Sequence, residues 1–61
     1  MRRIHVTYES KDEDGNLLRT ITTEFTVAKF VYNMDEERAE LFDSNGNKTG
    51  TIQNILALTE I

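Results

Sequence analysis

The run LLRTITTEFTVAKFVY, residues 17–32, contains neither glycine nor proline and is dense in threonine, isoleucine, valine, phenylalanine and tyrosine. Such side chains favour a pleated, half-buried strand. Drawn out as one straight strand, its sixteen residues would reach roughly 53 Å at about 3.3 Å per residue, whereas strands in globular domains usually run about three to ten residues. A chain of 61 residues cannot build a core of that breadth. The run must therefore bend.

The place of the bend follows from side-chain phase. Ile21, Thr23, Phe25 and Val27 keep one alternation, whereas Ala28, Phe30 and Tyr32 keep the other. One extra residue in a strand flips every later side chain to the opposite face, so a bulge is expected near Val27 and Ala28. A strand bent in this way pairs with the preceding strand through its front half and with a later one through its back half.

The segments around the run complete a β pattern. RIHVTYES alternates cleanly, with Ile4, Val6 and Tyr8 on one face and His5, Thr7 and Glu9 on the other. Asp14 and Gly15 in KDEDGN, and Asn45 and Gly46 in DSNGNKTG, tolerate left-handed backbone angles and mark two hairpins. MDEERAELF is ambiguous. Asn33 followed by Glu36 resembles a capping box, which suits a helix over residues 35–41, but the apolar stripe of Met34, Leu41 and Phe42 spans only two turns. A hairpin at Asn45 and Gly46 also needs a strand before it, so a turn over residues 33–37 and a strand over 38–43 are favoured. The return strand is expected at 49–54, and ILALTEI either continues it past a kink or forms one more short strand.

The expected fold class is all-β: a single domain over residues 1–61, a small antiparallel meander of four to six strands. It would form a twisted sheet or open barrel of SH3-like or OB-like size, with any short helix confined to residues 34–42. Ile4, Val6, Tyr8, Ile21, Phe25, Phe30, Leu41, Ile52 and Leu56 are the expected core. VAKFVY and ILAL carry apolar groups on both faces, so one face is expected to line the core and the other an interface at Val31, Tyr32, Leu58 and Ile61. A domain this small, without cysteine, gains most readily from self-association, which points to a homodimer.

Chemistry is sparse along the chain. Aligning Gly15 with the glycine of an EF-hand loop leaves Ser10 first and Ile21 in place of the bidentate glutamate. A loop begun at Asp43 puts Lys48 at the glycine position and Asn54 at the glutamate. Both stretches read as hairpin turns. His5 is the only histidine, so no metal site and no general base with a positioned partner is expected. No catalytic residue, metal or cofactor is assigned, and an enzyme is not expected. The start MRRIHV carries neither a signal peptide nor a membrane span, which makes an intracellular, cytoplasmic setting the default.

The formal charge is −4, and the seven basic residues are scattered, which argues against phosphate-backbone binding. The carboxylates cluster at Asp12, Glu13 and Asp14 and at Asp35, Glu36 and Glu37. In its brevity, acidity and lack of cysteine and proline the chain resembles accessory proteins of bacteria and their phages that act by binding larger proteins. The expected function is a non-enzymatic protein-binding module that regulates or inhibits a larger intracellular protein. One alternative is a β-barrel binding single-stranded nucleic acid or a small ligand, with Tyr8, Phe25, Phe30, Tyr32 and Phe42 as platforms. A second is an acidic phosphate mimic, which requires the two acidic turns to converge. If residues 17–32 form one bent strand, those turns point apart.

Overall fold

The long run bends where the change of phase puts it. In the computed structural model, which describes Met1–Ile61, strand β2 (Leu17–Val27) ends and β3 (Lys29–Asn33) begins on either side of Ala28. The longest dimension of the whole molecule is 35 Å, well short of a straight run. β2 pairs antiparallel with β1 (Arg2–Lys11), placing Ile4 opposite Phe25 and Tyr8 opposite Ile21. β3 pairs instead with β4 (Arg38–Phe42), and the Ala28 N–H already donates to the Phe42 carbonyl at 3.2 Å. Within one residue the chain passes from one partner strand to the other.

β4 pairs with β5 (Lys48–Ile52), and β6 (Ile55–Glu60) returns to the far side of β1. Two three-stranded antiparallel sheets result, β2-β1-β6 and β3-β4-β5. They are joined by continuous chain at Ala28 and again at Gln53 and Asn54. Asn54 makes the second corner by adopting a left-handed conformation (φ 58°), which asparagine tolerates better than most residues. Its carbonyl accepts from the Glu9 N–H at 3.0 Å, and the next N–H, of Ile55, donates to the Glu37 carbonyl at 2.9 Å.

No helix forms in residues 34–42. Asn33 does make the contacts its sequence suggests: its Oδ1 accepts from the Asp35 and Glu36 N–H groups, and its Nδ2 donates to Glu36 Oε1 at 3.1 Å. Those bonds cap a single turn, in which the Glu37 N–H donates to the Met34 carbonyl at 3.2 Å. Glu37 then takes φ 54°, which turns the chain back into β4 and delivers Ala39 and Leu41 to the core. Two core positions and a full ladder of sheet hydrogen bonds outweigh a two-turn helix with a thin apolar stripe.

The core consists of Ile4, Val6, Val27, Ala39, Leu41, Ile52 and Ile55, with Tyr8, Phe25, Phe30, Tyr32 and Leu58 packed against it. Two of the expected core residues lie elsewhere. Ile21 is half-buried and not packed against the core, since it lies opposite Tyr8, the last β1 residue that also pairs with β6. Leu56 is 53 % exposed, because Tyr8 pairs with Ile55 and Thr7 with Ala57, leaving Leu56 as a bulged residue without a partner. The bulge restores Ile55 and Leu58 to the same inner face. Both two-faced runs thus have one explanation, a switch of phase at Ala28 and at Leu56.

Two of the three hairpin turns are built alike. In DEDGN and DSNGN the Asp12 and Asp43 carboxylates each accept two backbone N–H groups at 2.9 Å, from Asp14 and Asn16 and from Asn45 and Asn47. Gly15 and Gly46 sit at φ 83° and 84°. Each turn is followed by an irregularity in register, at Leu18 and at Thr49.

These placements give two measurable contrasts. Replacing Glu37 with glycine removes left-handed strain of about 1 kcal/mol and raises the unfolding midpoint in urea, whereas Gly15→Ala and Gly46→Ala each lower stability by about 1 kcal/mol. Trimming the buried side chain by Ile55→Val costs about 1 kcal/mol, whereas Leu56→Thr next to it stays within about 0.5 kcal/mol. Equal losses at positions 55 and 56 would contradict the bulge.

Candidate functional site

Closure at two corners leaves the sheets apart between them. An open cleft of about 650 Å³ lies between the last residues of β2 and the length of β5. Its floor is apolar, formed by Tyr8, Phe25, Val27, Leu41 and Ile52, and its rim is polar, with Glu9, Thr26, Thr51 and Gln53 among it. Gly50 explains why the space is open. It pairs directly with the inward-facing Leu41, so its missing side chain would have stood in the cleft, and a Cβ built there meets nothing within 4 Å.

β2 and β5 are each the edge strand of their sheet, so both sides of the cleft present backbone N–H and C=O groups with no ladder partner. Of the four edge strands, three carry features that discourage further pairing. β3 and β5 have five residues each and begin with Lys29 and Lys48, and β6 has six and is interrupted by the bulge at Leu56. β2 differs. It has 11 residues, no lysine and no proline, and its stretch from Arg19 to Val27 is free of irregularities.

Charge is distributed unevenly around this edge. Ion pairs join Arg2 to Glu60, Arg3 to Glu24, Arg38 to Glu36 and Lys48 to Glu40. Lys11, Arg19 and Lys29 are left without a carboxylate, and Glu9 in the cleft is left without a cation. The acidic residues Asp12, Glu13 and Asp14 lie at the tip of the β1–β2 hairpin, and Asp35, Glu36 and Glu37 lie in the β3–β4 turn. Those turns terminate opposite ends of the bent run Leu17 to Asn33, and the corner at Asn54 and Ile55 links the two, accepting from Glu9 beside the first and donating to Glu37 in the second. Glu36 is further committed to Arg38 at 2.8 Å.

The apolar interface expected at Val31, Tyr32, Leu58 and Ile61 divides as well. Val31 and Ile61 are exposed, whereas Tyr32 and Leu58 turn inward against the core, the consequence of the two phase switches. The aromatic platforms are similarly occupied: Arg2 lies 4.5 Å above the Phe30 ring and Lys29 5.6 Å from that of Phe42, while Tyr8 and Phe25 pack on the core. His5 stands on the outer face opposite Glu24 and Thr59. No group of three or more acidic, histidine or cysteine side chains is arranged to hold a metal ion, and no helix is long and apolar enough to cross a membrane.

The cleft and the β2 edge were missed in the sequence, although Gly50 within KTGTI was a signal: a glycine inside a strand marks a place where space is kept beside the backbone.

Three carboxylates are held below their ordinary range. Hydrogen bonds from the Arg3 side chain lower Glu24, those from the Arg2 side chain lower Glu60, and the backbone N–H of Asn16, with that of Asp14, lowers Asp12. A carboxylate with a depressed folded-state value adds stability above its unfolded value and loses it as pH falls through the folded one. Urea-unfolding free energy should therefore be level above about pH 5 and decline steadily below the ordinary carboxylate range of about 4. Glu24→Gln with Glu60→Gln should flatten that decline.

No protein-family model, curated protein or solved structure matches this chain, so the cleft and its two free edges carry the functional argument.

Proposed function

We propose that this protein is a non-enzymatic binding module that regulates or inhibits a larger intracellular protein by taking an extended segment of it onto the free edge of β2. The observation that carries this reading is the coincidence of the one long, regular, unprotected edge with a cleft whose floor is apolar. Strand addition draws affinity from main-chain hydrogen bonds and specificity from pockets that receive alternate side chains. β2 supplies the first, and the space beside Gly50 supplies the second.

The chemistry of the segment follows from the site. It is extended, with β-branched or other apolar side chains at alternate positions to meet the cleft floor, and it carries a basic residue at the cleft to meet Glu9. A segment held in this way is withdrawn from whatever pairing it makes in its own protein, which is how a module without catalytic groups exerts control.

An NMR titration with a nine-residue peptide of alternating valine and threonine ending in one arginine tests this. Shifts are expected at Phe25, Val27, Gly50 and Ile52, and binding should weaken when glutamate replaces the arginine. Gly50→Val puts a strand-favouring side chain into the cleft at a position where an added Cβ meets nothing within 4 Å, so it should reduce affinity at least about tenfold, or about 1.4 kcal/mol, without loss of stability. A target captured by the tagged protein should survive a wash in about 0.5 M salt, where exposed charge pairs are heavily screened. Shifts confined to the acidic turns, or an unaltered affinity in Gly50→Val, would refute the reading.

A further inference from the structure

We infer that in the free protein the β2 edge is covered by the same edge of a second copy, giving a two-fold antiparallel homodimer that a target segment must displace. This inference rests on the strand-acceptor reading and names the occupant the molecule itself provides.

The regular part of β2 has a centre. It starts at Arg19, after the irregularity at Leu18, and ends at Val27, before the turn away at Ala28, which makes Thr23 its midpoint. Two such stretches aligned antiparallel about a two-fold axis through Thr23 pair residues whose numbers are symmetric about it. Side chains directly opposite in an antiparallel pair share a face. On the inner face, Ile21 of each copy meets Phe25 of the other, and both are only partly buried in the single chain. On the outer face, Thr20 meets Thr26 and Thr22 meets Glu24. No like charges oppose each other, and every residue keeps the face it already has.

The ends of the pairing are complementary too. Arg19, a cation with no carboxylate in its own chain, is brought opposite Val27 of the second copy, one of the residues that line the cleft. At the same end, the acidic tip of Asp12, Glu13 and Asp14 approaches the corner bearing Lys29, another cation without a carboxylate in its own chain. The result is a continuous six-stranded sheet that removes the long edge from solvent. The second copy thereby offers what the cleft calls for in a target, an extended strand with β-branched or other apolar side chains at alternate positions. Self-association and target binding are mutually exclusive at one surface, so target affinity falls as the protein concentration rises.

Because the chain has no cysteine, single cysteines report the register. At the two-fold axis the two Cα atoms of residue 23 would lie about 4.5 to 5.5 Å apart, within disulfide range. Under mild oxidation Thr23→Cys should convert to a covalent dimer, whereas Thr51→Cys on β5 and Thr26→Cys, which opposes Thr20, should not. Sedimentation of the unmodified protein should show a dimer at about 50 µM, weakened about tenfold by Lys29→Glu and by Glu13→Lys and restored when the two are combined. Equal cross-linking at positions 23, 26 and 51 would overturn the inference. So would a monomer at about 200 µM. If that monomer still takes up the valine–threonine peptide, the dimer is excluded and the acceptor reading stands. If neither a dimer nor peptide binding is seen, both fall.

Discussion

The fold depends on the transfer of one strand between two partners at Ala28. Val27 is still opposite Arg2 in the first sheet, and the next N–H is already bonded to Phe42 in the second. A 61-residue chain has too little apolar surface to cover a flat sheet of six strands. Folding that sheet over on itself lets a few large side chains serve both halves. Ile4, Val6 and Val27 from one sheet meet Ala39, Leu41 and Ile52 from the other, and Ile55 closes the corner. The extra residue at Ala28 also reverses the phase of the strand, which turns Phe30 and Tyr32 toward this shared interior.

The second corner is fixed by hydrogen bonds more than by packing. Asn54 and Glu37 both adopt left-handed backbone angles, and they are linked through neighbouring groups: the Ile55 N–H donates to the Glu37 carbonyl, and the Asn54 carbonyl accepts from Glu9. The corner between β5 and β6 is thus tied both to the β3–β4 turn and to the central strand β1. Strain at two residues is offset by backbone bonds that a relaxed corner would lose. The far end of the molecule is closed differently. Arg2 lies over the Phe30 ring and binds Glu60 through two hydrogen bonds, so that one guanidinium covers the aromatic edge of the core while remaining hydrated.

Where β2 and β5 face each other the two sheets do not pair, and the apolar floor between them stays open. A closed barrel would have no edge to offer, and a flat sheet would have no pocket beside its edge. Here the incomplete closure and the absent side chain of Gly50 set an apolar floor next to unpaired backbone groups. The Arg3 to Glu24 pair and the Thr7 to Thr22 hydroxyl contact hold β2 to β1 from the outer face, leaving its other edge free. Lysines begin the two shortest edges and a bulge interrupts a third, which leaves the long edge of β2 as the one without such a feature.

The sequence by itself determined the first strands, the hairpin turns and the bend. Runs of β-branched residues without glycine or proline, the Asp-x-x-Gly-Asn turns and the change of phase at Val27 and Ala28 are all local signals, and local signals act over a few residues. They also exposed Ile4, Val6, Leu41 and Ile52 as core through plain alternation. Other features depended on register between distant strands. Leu56 was expected in the core and is exposed because β6 makes its bulge only to match Tyr8 and Thr7 of β1, some fifty residues earlier in the chain. Ile21 alternates as well as Phe25 does, yet it does not pack on the core, because it sits at the level where β6 ceases to pair with β1. MDEERAELF carried helical and extended tendencies together, and the choice fell to the core positions that Ala39 and Leu41 fill. The cleft has no local signature beyond a single glycine, because it is a space between two sheets and exists only once both have formed.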